Sequence, residues 1–268
     1  MKITIFTSTV PDFISLYQIQ EVRKCFKDVI VVAVDVKSVD FKKERIQSLW
    51  KLFKKRGYKW FFFRLIDRFK LKRVQQEWNE VLAKSIEKEP KLQFIEPLRY
   101  DYSCKDVNGE STTALIASSK PDILIQCGAG ILKENIFSIP TIATINVHGA
   151  MAPGLRGGNS IFWSYYYGRP DWLGVTVHKI DKGIDTGEVF DRKLISYEPG
   201  KHPAGKMVES CLMGAELLCE VLMKIQAGNA TSTKMNEKSV YLGFYGSAHY
   251  ISLLKNKWYP VDTNTYVK

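Results

Sequence analysis

The sequence predicts an α/β fold, a mostly parallel sheet with helices on both faces, and three observations carry that expectation. Residues 29–34 (VIVVAV) form a continuous β-branched run, as a strand covered on both faces should. Residues 123–126 and 144–147 are two more such runs, and 110–119 has helical character. Strand alternating with helix implies right-handed βαβ units and a parallel sheet.

In chain order, residues 3–7 read as a first strand and 12–27 as an amphipathic helix, with 29–34 following. Residues 41–85 then interrupt the rhythm with aromatic and basic residues together, read as an insertion of one or two helices. From Gly174 the texture changes: GVTVHKI and VFDRKLIS read as two strands joined by the loop DKGIDTGE. A long helix is expected over 203–227, where Met207, Val208, Cys211, Leu212, Ala215, Leu218, Leu222 and Ile225 recur at three-and-four spacing. The last forty residues read as loops with short strands. The expected division is a main domain over 1–228 and a short extension over 229–268.

Hydrophobic residues make up 45% of the chain and charged residues 25%, which suits a globular core and a wet surface. Thirteen Lys or Arg face only Glu44 and Asp67 between residues 42 and 73, so this stretch alone carries the chain's formal charge of +11. Such a local block, unlike a basic face or groove, argues against a nucleic-acid partner. Trp50, Phe53, Trp60, Phe61, Phe62 and Phe63 among those cations match a peripheral membrane helix. They match better a surface helix whose rings pack on the core while its charges face water. Five cysteines without a C-x-x-C pair point to reduced thiols and no metal site. The opening residues lack a signal peptide's apolar run, which makes the cytoplasm the expected compartment. The first βα turn, residues 8–12, has no glycine, and no phosphate-cradling loop occurs elsewhere, so NAD, FAD and P-loop chemistry are not expected.

Three stretches carry chemistry. Asn146 and His148 end an apolar strand and leave it on one face, as a catalytic pair or as a hydrogen-bonded strand cap. Pro153, Gly154, Gly157 and Gly158 force a loop, after which Asn159 or Ser160 can cap a helix, and Arg156 there suits an anionic group. Asp181 and Asp185 lie in a loop whose Gly183 and Gly187 permit tight turns, a pattern also common in inert hairpins.

Taken together, Asn-x-His, Pro-x-x-Arg-Gly, then Gly-Val-Thr-Val-His followed by Gly-x-Asp-Thr-Gly resemble the folate-dependent formyltransferase family, specifically from residue 122 to 190. The resemblance implies a Rossmann-like formyltransferase domain with Asn146, His148 and Asp185 as its catalytic trio. It implies N10-formyltetrahydrofolate as donor, lying against Gly128, Gly130, Ile131 and Leu132 and against Asp181, Gly183 and Ile184. The acceptor side falls to Met151, Pro153, Arg156, Gly157, Gly158 and Asn159. His178 joins them, or is a structural histidine on a half-buried strand. Asn146 would donate to the developing oxyanion, and whether His148 is mainly base or mainly second donor stays open. Two departures stand out: Gly149 replaces the family's proline after the histidine, and the N-terminal segment lacks the Gly-Thr-Pro turn of the tRNA-formylating members.

About forty residues after the long helix are too few for the β-barrel of a methionyl-tRNA formyltransferase. Among acceptors, a nucleotide-linked amino sugar, of the kind used in lipopolysaccharide O-antigen assembly, fits that short tail and the basic charge. A hydroxyornithine-type amino acid, glycinamide ribonucleotide, methionyl-tRNA or a non-catalytic role are the alternatives. Tyr241, Phe244, Tyr245, Trp258 and Tyr259 near the C-terminus suggest a homodimer surface.

Overall fold

β1 (Ile3–Ser8) has all six residues buried, which requires cover on both faces of a sheet. Its side chains alternate between layers: Ile3 and Ile5 enter one hydrophobic cluster and Phe6 the opposite one. The structure, a computed structural model, describes residues 1–35, 72, 75–243, 249 and 253.

The other strands are β2 (Val29–Val34), β3 (Tyr102–Cys104), β4 (Ile123–Cys127), β5 (Ala143–His148), β6 (Leu155–Gly157), β7 (Gly174–Lys179), β8 (Val189–Leu194) and β9 (Val240–Leu242). Seven form one sheet in the order β3-β2-β1-β4-β5-β7-β8. The first five are parallel, and β7 and β8 add antiparallel. This is the mostly parallel, doubly covered α/β sheet that the sequence predicts. The strand order reverses between β1 and β4, and in such sheets ligands bind beyond the carboxyl ends of the strands near that reversal.

The helices are α1 (Phe13–Cys25), α2 (residues 75–87), α3 (Glu110–Ser119), α4 (Glu134–Phe137), α5 (Ser160–Tyr166) and α6 (Lys206–Gln226). α1 and α6 cover one face through Ile19, Val22, Leu217, Leu218, Val221 and Leu222, while α3 and α4 cover the other through Ile116 and Ile136. Asp12 caps α1, its Oδ1 accepting the Ser15 N–H at 2.8 Å. α6 begins later than its periodicity suggests, because Pro203–Gly205 form a 3₁₀ turn ahead of it. Lys206 is buried there, and its ammonium meets Ser196 Oγ, Glu198 Oε1 and Glu209 Oε2 at 2.9, 2.6 and 2.7 Å. Three protons find three acceptors, which makes the burial tolerable.

Two local features differ from expectation. Asn159 takes the N-cap position of α5, left-handed (φ 58°), but its side chain makes no capping bond, and the Ser160 hydroxyl donates instead to Gly149 O at 2.7 Å. Arg156 does not stand open at a helix start but lies on β6, its Nε donating to Ser239 Oγ and its Nη1 to Ile184 O.

Of the expected insertion, α2 is described, and its Trp78 Nε1 approaches Met207 Sδ at 3.3 Å. The basic aromatic stretch 41–73 lies outside the described residues except for Lys72, as do Phe244, Tyr245, Trp258 and Tyr259. Tyr241 is described, on β9. Among the described residues no helix is long and apolar enough to cross a membrane.

Candidate active site

β5 carries the first two functional side chains because it runs apolar until its carboxyl end, where Asn146 and His148 share a face. Antiparallel pairing sets Asn146 opposite His178 of β7 and His148 opposite Thr176. Asn146 Nδ2 lies 3.2 Å from His178 Nε2, and the two imidazole rings stand 6.4 Å apart, edge to face.

Backbone carbonyls fix the tautomers, since a carbonyl oxygen only accepts. His148 Nε2 is 3.2 Å from Leu155 O and His178 Nδ1 is 2.8 Å from Lys179 O, so those nitrogens carry the protons. His178 Nε2 is then free to accept from the Asn146 amide. His148 Nδ1 turns toward Asp185 Oδ2 at 3.6 Å, and His178 Nε2 lies 3.6 Å from Asp185 Oδ1.

Asp185 comes from the loop between β7 and β8 in a left-handed conformation, φ 52°, which aspartate tolerates better than most residues. Its Oδ2 accepts the Gly157 N–H at 2.9 Å. Burial works to raise its pKa, but the two imidazoles, first His178 and then His148, when they carry a proton toward it, and the Gly157 N–H together pull it down to about 2. The Gly157 bond needs no charged imidazole, so it secures the carboxylate in either state of the pair. Burial lowers the His148 pKa, opposed by the Asp185 carboxylate, which leaves the imidazole neutral at neutral pH. A bare Nδ1 facing a carboxylate is a seat for one proton.

A cavity of about 160 Å³ opens on this cluster, lined by Asn146, His178 and Asp185 together with Gly130, Ile131, Leu132, Asp181, Gly183 and Ile184. Ile131 and Ile184 are large apolar residues left 75% and 44% exposed at that cavity. Asp181 Oδ1 shapes the loop by accepting from Gly183 N–H and the Thr186 hydroxyl at 2.9 and 2.6 Å. Gly128 stands outside this lining, left-handed (φ 77°) and bridged to Thr7.

The turn after His148 has different neighbours. Met151 packs against Gly174 and its N–H donates to Trp172 O at 3.0 Å, while Pro153 is buried behind a cis peptide bond. Gly158 is half-buried in the same turn. Asn159 lines a separate cavity of about 260 Å³ with Trp78, Gly149, Ser160, Phe162, Met207 and Ser210. Gly149 does not leave the turn loose. The buried Thr176 hydroxyl donates to Ala150 O at 2.7 Å and accepts from the Ala152 N–H at 3.0 Å, and Arg192 Nη1 donates to Ala152 O at 2.7 Å.

Two contributors escaped the sequence reading. Gln126 lies beside Asn146 on β4, lines the cavity at Asp185 and holds the next turn through Gly130 O at 2.9 Å. Its signal was a polar residue ending the apolar run ILIQC. Thr176, two residues before His178, sits on the same face of β7.

A doubly covered sheet with a carboxamide, two imidazoles and a carboxylate gathered beyond its strand ends defines an α/β domain equipped for proton transfer at a bound ligand. The formyl transferase family profile matches residues 73–207, half of the chain, and contains all of these groups. The chain belongs to the formyl transferase family. It is 30% identical over 132 residues to methionyl-tRNA formyltransferase of Geobacter metallireducens, covering 49% of this chain and 42% of the relative. The same enzyme of Lactobacillus gasseri is 29% identical over 163 residues, 60% of this chain and 51% of the relative. The chain thus spans about half the length of the curated relatives it matches. In fold it resembles a 4-N formyltransferase from Francisella tularensis (TM-score 0.56, 14% identity, 91% of this chain and 76% of the other). It also resembles phosphoribosylglycinamide formyltransferase from Streptococcus pneumoniae (TM-score 0.53, 17% identity, 84% and 98%).

Proposed function

We propose that this protein transfers a formyl group from N10-formyltetrahydrofolate to the primary amine of a nucleotide-linked amino sugar. The observation that carries the transfer is the convergence of Asn146, His178 and Asp185 on one cavity, with Asp185 bracketed by two buried imidazoles. The cavity suits the donor: exposed Ile131 and Ile184 offer apolar surface to a flat heterocycle, and the loop 181–185 and Gly130 offer backbone polar groups. When bound, the donor supplies an acyl carbon already attached to a leaving nitrogen.

The chain's own residues do the rest. Asn146 Nδ2 directs an N–H toward the oxygen that becomes negative as the amine nitrogen bonds to the formyl carbon. The proton that the amine must shed passes by way of the Asp185 carboxylate, which lines the cavity, to the bare Nδ1 of the neutral His148 behind it. That proton returns to the folate nitrogen as its bond to the formyl carbon breaks, so proton and charge balance over the cycle. His178 keeps the Asn146 amide aimed by accepting one of its protons.

For the acceptor, the cavity beside Gly149 offers Ser160, Ser210 and Asn159 to hydroxyls and the Trp78 ring to a flat base. A sugar N-formyltransferase from Shewanella shares the fold (TM-score 0.55, 15% identity). Methionyl-tRNA is the second acceptor to test, because the sequence relatives named above act on it by name. A cytoplasmic location, a homodimer and a peripheral membrane contact through 41–73 rest on the sequence alone. Incubation with formyl donor and a panel of aminosugar nucleotides, glycinamide ribonucleotide, N-hydroxyornithine and methionyl-tRNA, read by tetrahydrofolate release, tests the reading. Turnover confined to the aminosugar nucleotides supports it, and turnover with another class reassigns the acceptor.

A further inference from the structure

We propose that the segment 232–243 is a clamp on the catalytic loop, with Arg156 and Ser239 as positioning residues that hold Asp185 in place. The inference rests on the formyl-transfer reading for its catalytic consequence, but not for its geometry.

Asp185 is gripped by two consecutive residues of β6. The Gly157 N–H binds its carboxylate at 2.9 Å, and Arg156 Nη1 binds the carbonyl of the preceding residue, Ile184, at 3.1 Å. Neither grip stands alone. Arg156 Nε donates to Ser239 Oγ at 3.0 Å, which fixes the guanidinium plane from its other edge. Gly157 pairs with Leu242 of β9, and a Cβ on Gly157 would overlap the Leu242 carbonyl oxygen. Only glycine lets β9 pass that close, and at φ 96° only glycine is unstrained.

The same segment holds the far end of the loop. Thr233 and Val189 exchange both backbone hydrogen bonds at 2.9 Å, and the Ser232 hydroxyl donates to Glu188 Oε2 at 2.7 Å. Beyond β9, Gly243 O accepts from Trp163 Nε1 at 2.8 Å, tying the segment to α5. The chain therefore crosses from the start of β8 to β6 and embraces both walls around Asp185. A left-handed aspartate on a loop keeps one orientation only if its surroundings determine it.

Ser239→Ala removes a single hydroxyl from a half-buried site and leaves β9 intact, so it separates positioning from folding. With Asp185 released, kcat is expected to fall about 10-fold or more while the acceptor KM stays within about 2-fold, as geometry rather than binding is lost. Ser239→Thr, which keeps the hydroxyl, recovers most of that loss. Arg156→Lys falls similarly, and combining it with Ser239→Ala adds little, since both act through one path. Independently of any turnover, carboxyl-carbon NMR of Asp185 reads the clamp directly. The groups facing that carboxylate are His148, His178 and, through Ile184, Arg156, and loosening the Gly157 bond raises its midpoint from about 2. An Asp185 signal unmoved by both Ser239→Ala and Arg156→Lys overturns the clamp even in a protein that formylates nothing. Absence of turnover alongside a shifted signal overturns the transfer reading and leaves the clamp standing.

Discussion

At the scale of single residues the site works by disagreement between neighbours. His148 is pushed toward neutrality by burial while Asp185 stays ionised, so the pair holds one vacancy for a proton. Asn146→Ala removes the proposed oxyanion donor and should cost roughly 10²- to 10³-fold in kcat with donor KM little changed, measured by steady-state kinetics. The acid limb of kcat/KM should lie below pH 6.5, because the His148 pKa is lowered and its base form survives into mild acid. Asp185→Asn removes the charge that raises that pKa, so any residual activity should have its acid limb displaced further down. A limb displaced upward contradicts the assignment. That Asn146, His148 and Asp185 come together was legible only through the family resemblance, since a polar pair ending an apolar run can be a strand cap and an aspartate between glycines an inert turn. The tautomers were not, since they depend on the carbonyls of Leu155 and Lys179, whose aim no spacing encodes.

At the scale of elements, the long apolar strands and the amphipathic α6 follow directly from periodicity, and α3 spans the very residues its composition suggests. The three-residue strands β3, β6 and β9 did not, because three residues give no period to read. The placement of Arg156 on β6 was hidden for the same reason. Its glycine-rich surroundings suggest an anion site, and only the partnership of β6 with β9 reveals that its Nε and one Nη1 proton are spent on Ser239 and Ile184. Gly187 shows how tightly the loop between β7 and β8 is drawn, as a Cβ there would overlap the Lys179 carbonyl. Gly187→Ala should therefore lower Tm and kcat together. Gly228→Ala, at φ 72° with nothing within 4 Å, should show only the smaller cost of left-handed backbone, about 1 kcal/mol, and unchanged kcat. Thermal melts and kinetics on the two variants check the contrast.

The whole molecule is a sheet clad on both faces that brings a strand end, a hairpin loop and a late strap to one place. Ile125 is fully buried at the centre of that sheet, so Ile125→Ala should cost about 2–5 kcal/mol in denaturant unfolding, with the site geometry otherwise kept. The class of the fold was evident from alternating strand and helix. The strap was not, because residues 229–243 carry no periodicity and acquire meaning only against the loop they cross. The central claim is tested most directly by tetrahydrofolate release from N10-formyltetrahydrofolate in the presence of the amine panel, comparing wild type with an Asn146→Ala, His148→Ala double variant. The account predicts acceptor-dependent release by the wild type and its loss in the double variant. Equal release by both proteins contradicts it.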